Sequence, residues 1–321
     1  MPPPEPLRCD LVERIRRLSR PLLPIPTMLP PQHAPLPRMR AVLFDVYGTL
    51  FISAAGDIGS AQAQRPETYQ EAAREAGVPL HPAFTSALAA SYRATCARLQ
   101  AAQRGAGVAA PEVDVRRVWR LVLDEFSRSG GLIGPVTDEA IERLAIEVEC
   151  RCNPVWPMPG ARETIAALRA RGVRLGLVSN AQFYTPLLFE ALLGDTPEAL
   201  GFEPALCAWS YALGEAKPSS RLIEGVLLNL LEQYGISSSQ TLFVGNDLLN
   251  DVLPAARSHV RTALFAGDAR SLRLREEDAR CAGVKPDLVI AALSELADER
   301  LVSNRPAPRA RGHSVMEENH E

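Results

Sequence analysis

Five short apolar runs limit the architecture open to this sequence: Ala41 to Phe44, Val173 to Val178, Thr241 to Val244, Thr262 to Phe265 and Asp287 to Ile290. They are too short for buried helices and do not alternate with polar residues, the pattern of strands covered on both faces of a parallel sheet. Helical segments separate the later four. Ala161 to Arg171 sets Ile165 and Leu168 on one face and stops at Gly172, a residue suited to a left-handed cap. Thr185-Pro186 opens a second helix, and Leu222, Ile223, Val226, Leu227 and Leu230 form the inward stripe of a third that ends at Gly235. The alternation predicts a doubly wound, Rossmann-like α/β domain with a parallel sheet.

Residues 45–172 interrupt that alternation, and their periodicity is helical. Val115, Val118, Trp119, Val122 and Phe126 keep one apolar stripe; Ile141, Leu144, Ala145 and Val148 repeat it after the capping Thr137. Two earlier helices are expected from about Glu67 to Glu75 and from about Pro82 to Gln103. An α-helical insertion placed just after the first strand stands over the strand ends like a lid. The expected organisation is a flexible proline-rich leader (1–38), a first core segment (39–58), a helical cap (59–157), a second core segment (158–302) and a disordered polar tail (303–321). Within the leader, Leu11 to Leu18 reads as a short basic helix.

The bulk properties exclude several classes. A net charge of −3 gives no reason to expect a nucleic-acid surface, and no apolar stretch approaches the ~20 residues of a membrane span. Six cysteines spread over 321 residues do not resemble a disulfide scaffold, which points to the cytoplasm. Cys150-Arg151-Cys152 lacks a second ligand pair at metal-site spacing.

The polar residues that stand out each follow an expected strand, so they converge on one mouth of the sheet, where ligands of such sheets bind. Asp45 follows the first strand and precedes a glycine turn, a placement in which a carboxylate can act as nucleophile. Ser179-Asn180 follows the second, and Gly245-Asn246-Asp247 with Asn250-Asp251 follows the third. Lys217-Pro218 opens the helix before the third. Only Lys217 and Lys285 are lysines among 35 basic residues, so a compact ammonium is a rare choice here.

In this order and spacing, Asp-x-Tyr-Gly-Thr-Leu, a strand ending in Ser-Asn, Lys-Pro and Gly-Asn-Asp-x-x-Asn-Asp resemble the four motifs of the haloacid dehalogenase superfamily of hydrolases, over about residues 40–300. The helical insertion resembles that superfamily's cap. The resemblance implies Asp45 as covalent nucleophile, Tyr47 at the acid/base position, Lys217 as charge neutraliser, and Ser179, Asn180 and Gly48 at the substrate. It also implies Mg²⁺ held by Asp45, the Tyr47 carbonyl, Asp247 and Asp251.

One departure divides the readings. Phosphatases of the superfamily carry an aspartate where this chain has Tyr47, and a phenol with a pKa of ~10 is a poor base near neutral pH. Metal-free 2-haloacid dehalogenases share this feature, because halide leaves without a proton. Three carboxylates crowded without a metal would repel one another, which favours Mg²⁺-dependent hydrolysis of a small phosphate ester, of modest efficiency, over dehalogenation. That argument adopts Asp247 rather than Asn246 as the first ligand of the fourth motif. A binding or regulatory protein on a weakened hydrolase scaffold is the alternative from another class.

Overall fold

The computed structural model describes residues 4–34, 36, 39–55 and 66–298. Strand β1 (Ala41–Phe44) lies at the centre of the sheet with all four residues buried, as its unbroken apolar run requires. The other strands of this sheet are β4 (Arg174–Ser179), β5 (Phe202–Trp209), β6 (Thr241–Gly245), β7 (Arg261–Phe265) and β8 (Leu288–Ile290). Two further strands, β2 (Phe51–Ser53) and β3 (Val155–Pro157), form a separate antiparallel ribbon. The order β5-β4-β1-β6-β7-β8, with every pair parallel, places the expected doubly wound sheet around β1.

The helices are α1 (Glu5–Leu18), α2 (Pro66–Glu75), α3 (Leu88–Gly105), α4 (Val115–Arg128), α5 (Asp138–Cys152), α6 (Ala161–Ala170), α7 (Thr185–Leu188), α8 (Pro197–Leu200), α9 (Ser210–Leu213), α10 (Arg221–Tyr234) and α11 (Leu253–Arg257). Asp114 and Thr137 cap α4 and α5 through their side-chain oxygens. Gly235 ends α10 at φ 58°. Helices α2 to α5 stand between β2 and β3, so the ribbon is the stalk from which the helical insertion rises. Among the described residues no helix is long and apolar enough to cross a membrane.

The structure differs from the sequence-based expectation in several places, and the β2–β3 ribbon was not among the five expected strands. Strand β5 is unexpected, because Glu203 and Pro204 interrupt its apolar pattern. It is an edge strand, where proline's missing N–H costs no ladder bond. The leader is packed where a flexible segment was expected: α1 begins at Glu5, and Leu11, Val12 and Ile15 are buried against the insertion and the core. Farther on, Gln32 exchanges two backbone hydrogen bonds of 2.9 Å with Val289 of β8. The expected tail at 303–321 lies outside the described residues.

Candidate active site

The parallel arrangement brings the carboxyl ends of β1, β4 and β6 side by side. Asp45 leaves β1 with its N–H bonded to Val244 O at 2.9 Å, and only 6 % of the residue is exposed. Its Oδ1 accepts hydrogen bonds from Ser179 Oγ at 3.0 Å and Lys217 Nζ at 2.6 Å. Its Oδ2 accepts none among the described residues.

Lys217 is held from several directions. Nζ donates to Asp45 Oδ1 and Asp251 Oδ1, both at 2.6 Å, and to Val178 O at 3.1 Å. The Asn180 carboxamide grips its backbone, accepting from Lys217 N at 2.7 Å and donating to Lys217 O at 3.3 Å. Burial opposes the ammonium's charge, but Asp251 and Asp45 overcome that cost and raise its pKa. Asp251 is lifted to about 7: burial dominates, Lys217 counteracts it, and Asp45 and Asp247 add to it. Two carboxylates thus share one ammonium.

Two glycines are required by this packing. A Cβ on Gly245 would stand 2.4 Å from Asp251 Cγ, so only glycine lets that carboxylate lie over the end of β6. Gly48 has φ 82°, and a Cβ there would meet Ser271 Cβ at 2.6 Å and Asn246 Nδ2 at 2.7 Å.

Asp45, Ser179, Lys217 and Asp251 come together as the sequence suggested. The other expected site residues are engaged as follows. Asn180 positions Lys217 and has its carboxamide engaged in doing so. Gly48 spends its N–H on Phe51 O at 2.7 Å, closing the turn, which leaves none for a substrate. The Tyr47 phenol is 3.0 Å from Thr185 Oγ1. Burial first, then Glu149, pushes it well above its ordinary pKa, which makes it a weak proton donor as well as a poor base.

Of the oxygens expected to hold Mg²⁺, the carboxylate oxygens of Asp247 and Asp251 are engaged within the protein. Asp247 Oδ1 caps the following helical turn, accepting from Leu249 N at 2.8 Å and Asn250 N at 3.2 Å, and Oδ2 accepts from Asn250 Nδ2 at 3.0 Å. Arg275 Nη2 approaches Oδ2 at 2.5 Å, so an arginine neutralises the carboxylate assigned to the ion. Asp251 has Oδ1 on Lys217 and Oδ2 on the Asp247 N–H at 3.0 Å. Among the described residues no three His, Cys, Asp or Glu side chains gather as a metal cluster. Asn246 follows β6 directly, and its carboxamide joins Thr49 Oγ1 at 3.1 Å to Ser271 O at 2.6 Å.

Sequence reasoning missed Arg275 and Ser271 and took Thr185 only for a helix cap. Arg275 and Ser271 stand in a loop with no motif, and only the fold brings them to the strand ends.

Residues 39–259, more than half of the chain, match the family of haloacid dehalogenase-like hydrolases. The chain belongs to that family. Solved structures similar to this haloacid dehalogenase-like hydrolase include a 2-haloacid dehalogenase from Pseudomonas syringae pv. Tomato DC3000 (19% identity, 80% of this chain and 96% of that chain, TM-score 0.48). A HAD phosphatase from Thermococcus onnurineus is similar at 18% identity (80% and 96%, TM-score 0.45). The putative HAD-hydrolase YfnB from Bacillus subtilis, bound to magnesium, is similar at 17% (81% and 97%, TM-score 0.43). No curated protein matches the chain.

Proposed function

We propose that this hydrolase displaces a weakly basic leaving group from carbon, with a small 2-haloacid as the substrate class, and requires no metal ion. The observation that carries the reading is the withdrawal of Asp247 to Arg275. The repulsion that favoured a divalent ion required three free carboxylates. With Asp247 neutralised, two remain, and they already share Lys217.

In the reaction Asp45 Oδ2 attacks the carbon bearing the halogen. The C–O bond forms as the C–halogen bond breaks, and halide leaves with the electron pair. Lys217 and Ser179 hold Oδ1 so that Oδ2 faces the substrate. Water then adds to the ester carbonyl on Asp45, releasing a 2-hydroxy acid, the carboxylate and one proton. No proton is needed for the leaving group, which agrees with a Tyr47 phenol occupied by Thr185.

Phosphate-ester hydrolysis with Mg²⁺ is the second reading, and one observation favours it. Asp45 and Asp251 together exceed the charge of Lys217 by one unit, an imbalance that a divalent cation offsets. Six free cysteines support a reducing compartment such as the cytoplasm. Incubating the purified chain with 2-chloropropionate and with an aryl phosphate, each with Mg²⁺ and with chelator, separates the readings. Halide release that survives chelator is expected; phosphate release that needs Mg²⁺, without halide release, would reverse the assignment.

A further inference from the structure

Helix α1 touches both the helical insertion and the core. Its apolar residues Leu11 and Ile15 share one buried cluster with Leu144 of α5 and Leu188 of α7. Its charged residues reach both ways. On the cap side, Glu147 of α5 is 0 % exposed and takes Arg14 and Arg17 at 2.8 Å each, together with Arg151 of its own helix. Asp10 pairs with Arg143 at 2.6 Å, and Arg14 donates to Glu75 O at 3.0 Å. On the core side, Arg8 pairs with Glu190 at 2.7 Å, and Arg16 donates to Glu190 O and Ala191 O at 3.1 Å.

The chain after α1 continues across the core. Ile25 N donates to Asp268 Oδ1 at 2.9 Å, Ala269 N donates to Ile25 O at 2.8 Å, and Thr27 Oγ1 donates to Ala266 O at 2.7 Å. These contacts fasten the segment just beyond β7. The helical insertion rises from the β2–β3 ribbon and also meets the core directly, with Ala216 N donating to Ala110 O at 2.7 Å, Glu112 N to Gly214 O at 3.1 Å and Val115 N to Gln182 Oε1 at 3.0 Å. We propose that residues 5–27 form a strap that holds the cap closed over Asp45 and so restricts the site to small substrates. The restriction on size rests on the reading above, in which the substrate is a small 2-haloacid; the closure does not.

The physical requirement is that opening the cap strips charge-assisted bonds from α1 on one side or the other, and such bonds are stronger than neutral ones. Hydrogen exchange on the full chain tests this with two variants, Arg14→Ala/Arg17→Ala on the cap side and Arg8→Ala/Arg16→Ala on the core side. Both are expected to speed exchange in α5 and in the β2–β3 ribbon by about tenfold, leaving β1 and β6 unchanged. Both should also raise turnover of 2-bromohexanoate relative to 2-chloropropionate. If the cap-side pair unfolds, the core-side pair, which removes only partly exposed arginines, decides alone.

Unchanged α5 exchange in the core-side pair would mean that α1 merely completes the cap, and the strap is then rejected. Equal acceleration in β1 and β6 would mean a loss of global stability and would likewise reject it. A chain that shows the expected exchange but turns over no haloacid would keep the strap and lose the functional reading.

Discussion

Replacing Lys217 by methionine tests the centre of the site, because one ammonium there serves two buried carboxylates. Nζ lies 2.6 Å from Asp45 and 2.6 Å from Asp251, with its side chain 2 % exposed. Removing one member of a buried ion group leaves uncompensated charge and costs about 3–5 kcal/mol. Urea unfolding at pH 8 should show a loss of that size. The pH dependence is more diagnostic. Asp251 has a folded-state pKa raised to about 7 from 3.8, so between those values the folded state holds a proton that the unfolded state has released. Stability from this group is present at acid pH and is lost as pH rises through 7. Without Lys217 its pKa rises further, and protonation becomes the only way to neutralise the site. The penalty of Lys217→Met should therefore shrink toward acid pH, by about 1.4 kcal/mol per pH unit where one extra proton is bound. A loss below about 1 kcal/mol at pH 8, or one equal at pH 5 and pH 8, would refute the shared-ammonium picture.

Other outcomes follow from the same geometry. Asp45→Asn should abolish turnover in a steady-state assay while leaving the urea midpoint near wild type; residual turnover above about one part in a hundred removes Asp45 as nucleophile. Tyr47→Phe should keep kcat within about threefold and lose about 1 kcal/mol from the Thr185 bond, whereas a hundredfold drop would restore the phenol as a proton donor. Gly245→Ala should displace Asp251, whose Cγ would lie 2.4 Å from the new Cβ, and cost about 1–3 kcal/mol along with most activity. Asp247→Ala should remove a helix cap worth about 1 kcal/mol without altering Mn²⁺ affinity measured by calorimetry; a large fall in that affinity reinstates Asp247 as a ligand.

Much of the fold was legible because its signals are local. An unbroken apolar run such as Ala41 to Phe44 has one economical fate, a central parallel strand, and Thr137 and Gly235 mark helix ends by their own side-chain and backbone chemistry. Strand β5 was hidden because an edge strand tolerates the glutamate and proline that a central one rejects. Helix α1 was half legible: its basic stretch was visible, but the buried Glu147 that anchors it lies 130 residues from Arg17.

The sequence alone determined which groups arrive at the mouth of the sheet, since a residue that follows a parallel strand must emerge at its carboxyl end. That is why Asp45, Ser179 and Asp251 could be placed together from the order of strands and motifs, with Lys217 added from its own motif. Only the tertiary structure decided what those groups do to one another. The direction of a side chain depends on its nearest partner, and partners such as Arg275 for Asp247 and Thr185 for Tyr47 come from segments with no periodic or motif constraint linking them. A carboxylate's charge is readable from its letter; whether an ion, an ammonium or a guanidinium answers it depends on packing.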